Sequence, residues 1–315
     1  MKSAVILNPA AGNGRAGALE QKLASLLRDA HVDAQVLLTR SGDHAMALAT
    51  EATTWADAVI AVGGDGTIHH VAKGIIAGEK PVALGLIPVG TGNDFVKMTG
   101  TPVHTESAIK ILAKGKRKAV DYGTVTYQST HGAGESCFFN TLGIGFDAAV
   151  GDRASSYKAL PGFGAYLAAL FKTLFTLQYA DVTVSCDQND STPFFSGQML
   201  LSSVGNGSTS GGLFKLTPHA AIDDGWFDVC VIERLTVPRL LASVPRVLRG
   251  SHTNMKEYHA GKAKHIRIEV GQTVSRVGEI GNPGLPVHAD GEILAPDVSR
   301  LDIQLIEKGI SVIVP

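Results

Sequence analysis

Cysteine is scarce: Cys137, Cys186 and Cys230 are the three thiols in 315 residues, far apart and without a C-x-x-C pair. A disulfide framework or a zinc site needs closely spaced pairs, so three reduced core thiols and a reducing compartment are expected. A surplus of positive charge is lacking too. The 28 Lys and Arg against 29 Asp and Glu leave a net charge of −1, whereas a protein that neutralises nucleic-acid phosphates carries a basic excess. No nucleic-acid partner is expected. No predominantly apolar run reaches the ~20 residues of a spanning helix, and the opening MKSAVILNP has neither the apolar h-region nor the cleavage site of a secretory leader. These absences point to a cytoplasmic protein that meets a membrane, if at all, from the side. What is present is a globular composition, 44% hydrophobic and 18% charged, over a length that suits two domains.

The first third alternates short apolar runs with helical patterns. Strands are expected at 3–7, 34–39, 58–62 and 82–87, and helices at 18–28, 43–53, 67–77 and 105–113. Strands alternating with helices of this length imply right-handed βαβ units around an open parallel sheet. The continuously apolar AVIL, AVIAV and VALGLI suit strands covered on both faces. After the basic stretch 114–118 the texture changes. Short β runs at 120–128, 137–141, 181–186, 197–204, 226–232, 265–270 and 286–288 alternate with Gly, Asp, Asn and Pro turns, the pattern of a mostly antiparallel β-sandwich. Helices at 164–177 and 238–249 interrupt it, and the tail RLDIQLIEKGISVIVP reads as two strands. The domains expected are an α/β domain over 1–120 and a sandwich over 121–307, with a strand around 308–315 able to return to the first.

Three glycine loops follow strands. Asn8-Pro9-Ala10-Ala11-Gly12-Asn13-Gly14-Arg15-Ala16-Gly17 lets the backbone approach a ligand and opens a helix whose N–H groups suit an anion. It has no G-K-[ST] ending, so it is not a P-loop. Gly12, Gly14 and Gly17 satisfy G-x-G-x-x-G, and Thr39 with Arg40 ends the second strand, where an arginine suits a 2′-phosphate. Alone, this loop leaves an NADP oxidoreductase and a plain tight turn open. Gly63-Gly64-Asp65-Gly66-Thr67 at the third strand's end favours phosphate: glycines bring amides close, Asp65 offers oxygen to Mg²⁺, and Thr67 caps the helix or touches phosphate. Pro88-Val89-Gly90-Thr91-Gly92-Asn93-Asp94-Phe95 repeats the idea after the fourth strand. In open parallel sheets ligands bind beyond the carboxyl ends of strands, so the three loops read as one rim for nucleotide phosphates and Mg²⁺.

NPAAGNGRA, GGDGTIHHVAKG and IPVGTGNDFVK, followed by FFNTLGIGFDAAV, SGGLFKLTPHAAIDDGWFDV, HADGEI and the terminal SVIVP, resemble the diacylglycerol kinase catalytic-domain family, and its soluble bacterial lipid kinases in particular. The resemblance implies two domains with an active site in the cleft, ATP as donor and a lipid alcohol as acceptor. ATP would be held by Asn8 with Gly12 and Gly14, by Thr39, by Gly63, Gly64, Asp65, Gly66 and Thr67, and by Thr91. Asp65 and Asp94 would organise Mg²⁺ and phosphates. Glu292 of Asp290-Gly291-Glu292 would take the lipid hydroxyl's proton, with Asp290 close by; without the family, this triplet reads as an exposed hairpin turn. A second, structural Mg²⁺ would sit on Asp224 and the carbonyls of Ala221 and Trp226, a segment that otherwise reads as an Asp-Gly turn.

The chain also departs from the family. His69-His70 stands where the family often has Asn-Glu, and Lys73 where it often has Asn. Adjacent helical residues point about 100° apart, so a shared metal is not expected and a solvated helix face is. His288-Ala289 before the D-G-E is expected to leave the carboxylates undisturbed. The apolar stretch 165–177 suits core, or an acyl-chain groove or bilayer contact; Arg239, Arg246 and Arg249 suit anionic head groups. A homodimer stays open. The competing readings are an NAD kinase-like enzyme with a soluble acceptor, an NADP oxidoreductase, and a lipid- or nucleotide-binding protein without catalysis.

Overall fold

The structure is a computed structural model that describes residues 2–155, 157, 163–187, 192–275, 280–281 and 283–315. The chain divides into two units, Met1–Asp121 with Glu307–Pro315, and Tyr122–Ile306.

The first unit carries β1 (Lys2–Leu7), α1 (Arg15–Asp29), β2 (Asp33–Leu38), α2 (Gly42–Ala52), β3 (Ala58–Gly63), α3 (Asp65–Ile76), β4 (Ala83–Pro88), α4 (Asp94–Thr99) and α5 (Thr105–Lys114). The strands pair in parallel in the order β2-β1-β3-β4. The chain first steps outward from β1 to β2, then crosses back over β1 to β3. That reversal makes the carboxyl ends of β1 and β3 a topological switch point, where such sheets open a crevice. Val5, Leu7, Ile60, Val62 and Ile87 are fully buried in one cluster with Leu23 and Leu27 of α1 and Ile109 and Leu112 of α5. Each such side chain contributes about 1.5–3 kcal/mol by leaving water. The short helix α4 was not expected: its six residues are too few to show a period.

The second unit begins within β5 (Lys116–Ser129) and continues with β6 (Gly132–Phe138), β7 (Thr141–Gly145), α6 (Phe146–Ser155), α7 (Phe163–Thr173), β8 (Gln178–Cys186), β9 (Phe195–Gly205), β10 (Phe227–Glu233), α8 (Val237–Arg249), β11 (Tyr258–Ala263), β12 (His265–Ser275), β13 (Ile280–Gly281), β14 (Leu285–Ala289) and β15 (Glu292–Val314). Antiparallel pairing runs β12-β8-β9-β7-β14-β15 and returns from β15 to β12 through His265↔Gln304 to Glu269↔Arg300. Six strands thus close a ring with no free edge among them. Its apolar filling includes Phe138 stacked on Phe227 with centroids 5.2 Å apart. A second apolar cluster joins α6, α7 and α8 to β9 and β10. The helix α6 and the strand β11 were not expected; GFDAAVGDRAS and YHAGKA carry Gly and charge that mask their periods. Residues 165–167 of the apolar helix lie outside those whose side chains are described.

The tail is one strand, not two. β15 passes through Lys308 in the left-handed region (φ 50°), where its N–H donates to Asp121 Oδ1 at 2.7 Å, and Ser311 and Val312 then pair in parallel with β4. The buried carboxylate of Asp121 absorbs the bend that the sequence pattern presents as a break. Cys137 and Cys230 are buried and Cys186 is half-buried, all as free thiols. Burial, with Asp187 beside it, pushes the Cys186 thiol up to about 11.

Candidate active site

In the first unit the three glycine loops meet. The N–H of Val89 donates to Gly63 O at 2.8 Å, and Asn8 Nδ2 to Thr67 Oγ1 at 3.0 Å. Arg15 donates to Gly12 O and to Val89 O, both at 3.0 Å, and so ties the first loop to the third. Gly64 and Gly90 face each other so closely that a Cβ on Gly90 would stand 2.6 Å from the Gly64 Cα. Gly90 requires glycine because backbone, not a yielding side chain, is in the way, and at Gly64 the same approach is tight at 3.2 Å.

The two candidate helix N-termini differ. At α1 the loop satisfies the helix itself: Arg15, Ala16 and Gly17 donate to the carbonyls of Gly12, Ala11 and Pro9. The expectation that this helix aims free N–H groups at an anion is therefore corrected. At α3 the cap residue Gly64 offers no side chain, and the N–H groups of Gly66 and Thr67 have no acceptor among the described residues. Unsatisfied first-turn amides with the helix dipole behind them favour phosphate.

Asp65 opens α3, yet its carboxylate turns across to the third loop, where Oδ2 accepts from Asn93 N at 2.6 Å and Oδ1 from Asp94 N at 2.7 Å. Asn93 takes a left-handed φ of 51° there, donates Nδ2 to Gly90 O at 3.0 Å, and leaves its buried Oδ1 without a partner. Asp94 is buried and receives Lys97 Nζ at 3.0 Å. Thr91 is exposed. Thr39 sits at the end of β2, its N–H on Leu7 O and its hydroxyl donating to Ser41 O at 2.7 Å. Sequence reasoning missed Arg15 and Asn93 as loop organisers, although both stand inside the motifs.

His69 and His70 form no solvated face. His69 is 2% exposed and meets the His70 ring edge-on at 5.4 Å, and His70 packs against Gly42, where a Cβ would stand 2.2 Å from Nε2. His69 is buried and His70 half-buried because α3 lies against α2 on one side and β3 on the other. No cluster of three or more His, Cys, Asp or Glu with metal-ligand geometry occurs among the described residues.

In the second unit, Asp290 and Gly291 form a two-residue hairpin turn between β14 and β15, with φ of 52° and 92°. Positive φ at both positions is the type I′ signature that Asp-Gly favours. The Asp290 carboxylate accepts three backbone N–H groups: Phe139 on Oδ2 at 2.8 Å, Asn140 and Thr141 on Oδ1, each at 2.9 Å. Its own N–H donates to Thr141 O at 2.8 Å. Glu292, by contrast, is exposed, and its carboxylate has no hydrogen bond or ion pair among the described residues. Beneath the turn, His288 Nδ1 accepts from Gly291 N–H at 3.1 Å and Nε2 reaches Asp147 Oδ2 at 3.2 Å. The histidine expected to be a neutral local change thus touches the turn itself.

Asp224, Ala221 and Trp226 precede β10. Asp224 Oδ2 receives Lys262 Nζ at 2.6 Å, Oδ1 accepts Trp226 N at 3.1 Å, and Lys262 also lies 3.3 Å from Asp228. Burial raises the Asp228 carboxyl, and Lys262 opposes that shift. In this structure the Lys262 ammonium supplies the counter-charge to this segment. Nothing in the spacing of Asp224 and Lys262 signals their meeting; β10 pairing with β11 creates it.

Unsatisfied amides in one unit and an unengaged carboxylate in the other are what phosphoryl transfer to a hydroxyl asks of a protein. Groups of these two kinds suit a kinase with an alcohol acceptor. Residues 2–125 match the diacylglycerol kinase catalytic domain, and residues 140–309 match the YegS C-terminal NAD kinase beta sandwich-like domain. The chain is 29% identical over 281 residues to the diacylglycerol kinase of Staphylococcus saprophyticus, covering 85% of this chain and 84% of that protein. To the diacylglycerol kinase of Mycobacterium tuberculosis it is 28% identical over 301 residues, covering 94% and 90%. A crystal structure of a diacylglycerol kinase from Bacillus anthracis superposes with a TM-score of 0.75 at 26% identity, covering 100% of this chain and 97% of that one. The chain belongs to the diacylglycerol kinase family, and it is an enzyme that phosphorylates an alcohol group.

Proposed function

We propose that this kinase transfers the γ-phosphoryl group of ATP to the hydroxyl of diacylglycerol or a related lipid alcohol. The observation that carries the nucleotide half is the start of α3. The N–H groups of Gly66 and Thr67 are unsatisfied there, and Gly64 and Gly90 keep side chains out of the way. Asn8, Gly12, Gly14, Thr39, Gly63 and Thr91 stand on the same strand ends and complete the nucleotide site. Mg²⁺ takes oxygen ligands and commonly uses one or two carboxylates together with phosphates and water. Asp94, the carboxylate oxygens of Asp65 and the orphaned Oδ1 of Asn93 are donors of that kind. When bound, the ion neutralises charge on the phosphates.

Glu292 acts as general base, taking the proton from the lipid hydroxyl as its oxygen attacks the γ-phosphorus and the bond to the β-phosphate oxygen breaks. An exposed carboxylate without a partner is free to do this, and Asp290 fixes the turn that presents it. A small apolar cavity of about 50 Å³ in the second unit, lined by Phe146, Asp147, Val150, Leu170, Phe214 and Leu240, supports an acceptor with apolar parts. Phe175, 80% exposed, and the half-exposed Phe171 beside Lys172 provide the membrane contact from which a lipid is drawn. No helix among the described residues is long and apolar enough to cross a membrane.

The test is transfer of labelled γ-phosphate from ATP-Mg into micellar diacylglycerol, phosphatidylglycerol, a sphingoid base and a ceramide, with NAD as soluble control. Label in a lipid that disappears in Glu292→Gln supports the proposal. Label in NAD alone, or ATP binding without transfer, replaces it with a soluble-acceptor kinase or a binding protein.

A further inference from the structure

Beneath the Asp290-Gly291 turn lies a buried pair that the proposed chemistry does not use. His288 is 4% exposed and Asp147 5%. Their geometry fixes the state of the imidazole. A ring nitrogen that accepts an N–H bond carries no proton, so Nδ1, which accepts from Gly291 at 3.1 Å, is bare and the proton resides on Nε2. That Nε2–H faces Asp147 Oδ2 at 3.2 Å. Asp147 stands in the first turn of α6, where the helix dipole favours its charge. Between the two elements runs β7, and His288 pairs with Gly143 in it. A Cβ at Gly143 would stand 2.2 Å from His288 Nε2 and 2.5 Å from Asp147 Oδ2, so the absence of a side chain there is what lets the bond pass. Gly291 in turn is covalently joined to Glu292. The line from α6 to the reacting carboxylate is unbroken.

We propose that His288, held as the Nε2–H tautomer by Asp147, is the positioning residue for Glu292. By holding Gly291 N–H it sets the pitch of the hairpin and hence the direction of the Glu292 carboxylate. The inference rests on the reading of Glu292 as the base. Asp290 anchors the same turn from its other side, so removing His288 leaves the hairpin formed while freeing Glu292 to swing.

The test compares His288→Leu with His288→Asn. The asparagine Oδ1 takes the place of Nδ1 as acceptor, whereas leucine accepts nothing. With ATP-Mg and a short-chain diacylglycerol in mixed micelles, His288→Leu lowers kcat about 10²-fold with KM for ATP unchanged, and His288→Asn recovers kcat to within about threefold of wild type. Equal loss in both variants, or full kcat in His288→Leu, overturns the proposal. Should His288→Leu fail to fold, the asparagine variant decides: kcat near wild type supports the proposal, and a fall of 10²-fold overturns it. Imidazole ¹⁵N spectra of the wild type read the same point without turnover: an unprotonated Nδ1 is expected, and a protonated one overturns it. Glu292→Gln separates the two levels, because full activity in that variant sinks the base assignment, whereas its inactivity beside an active His288→Leu sinks this inference alone.

Discussion

Asp65 and Asp290 occupy different folds and do the same physical job. Each is followed by a glycine, each belongs to a motif that reads as catalytic, and each has both oxygens engaged by backbone N–H groups of a neighbouring loop. They differ in the element that each one leads into. Asp65 opens a helix and pins a second glycine loop to it, so fixing it shapes a concave, amide-lined surface. Asp290 closes a hairpin, so fixing it shapes a projecting turn with a bare carboxylate, Glu292, two residues on. On the proposed function, held acids build the site and the free acid reacts, so the number of N–H groups a carboxylate accepts would separate the two roles better than its place in a motif.

Predictions sharpen that contrast. The largest effect is expected in Glu292→Gln, where loss of the base lowers kcat about 10²–10⁴-fold with the thermal midpoint unchanged; a comparable drop in stability would place Glu292 among the held acids. Next comes Asp290→Ala, which strips partners from three N–H groups at once. With each unsatisfied donor costing about 1–3 kcal/mol, urea denaturation should show a clear loss of stability alongside lost turnover. Asp65→Asn keeps one bond and sets an amide NH₂ against a backbone N–H, at about 1–3 kcal/mol. Its kinetic signature is a raised KM for ATP rather than for lipid, and a raised KM for lipid alone would break the contrast.

Lys262→Met removes an ammonium from Asp224 and Asp228. The partly exposed pair contributes no more than about 1 kcal/mol, so calorimetry should show a fall of about 2–4 °C, with millimolar Mg²⁺ restoring it in the variant and leaving the wild type unmoved. The smallest effect concerns Asp302, a held acid away from any glycine loop. Burial alone would raise its carboxyl, but hydrogen bonds from His265 and Arg267 outweigh burial and hold it below the usual 3.8. A depressed folded pKa contributes stability that is present above the unfolded value and lost as pH falls through the folded one. Urea midpoints from pH 6 down to 2 should therefore fall less steeply in Asp302→Asn than in wild type.

The alternation of apolar runs in residues 2–114 made the parallel sheet legible, because buried strands and amphipathic helices have different periods. The three loops were legible as glycine clusters at strand ends. Features that stayed hidden had no local period to show. The meeting of Asp65 with Asn93, of Asp290 with Phe139, of Lys262 with Asp224 and of His288 with Asp147 all depend on strand pairing across long separations. The straight run of β15 was hidden for the opposite reason: Glu307-Lys308-Gly309 has the composition of a turn, and only Asp121 makes it a bend. His69 and His70 misled because polarity was taken for exposure, whereas α3 is covered on both sides.

The return of β15 to β4 also sets an order of events. Most of the first unit leaves the ribosome before the second, yet its sheet lacks the strand beside β4 until Ser311 and Val312 have been made. During synthesis β4 offers an unpaired parallel edge, so the first unit, begun before the second, is completed after it. A chain truncated by its final nine residues would carry all three glycine loops and the Asp290-Gly291 turn and still have that edge open.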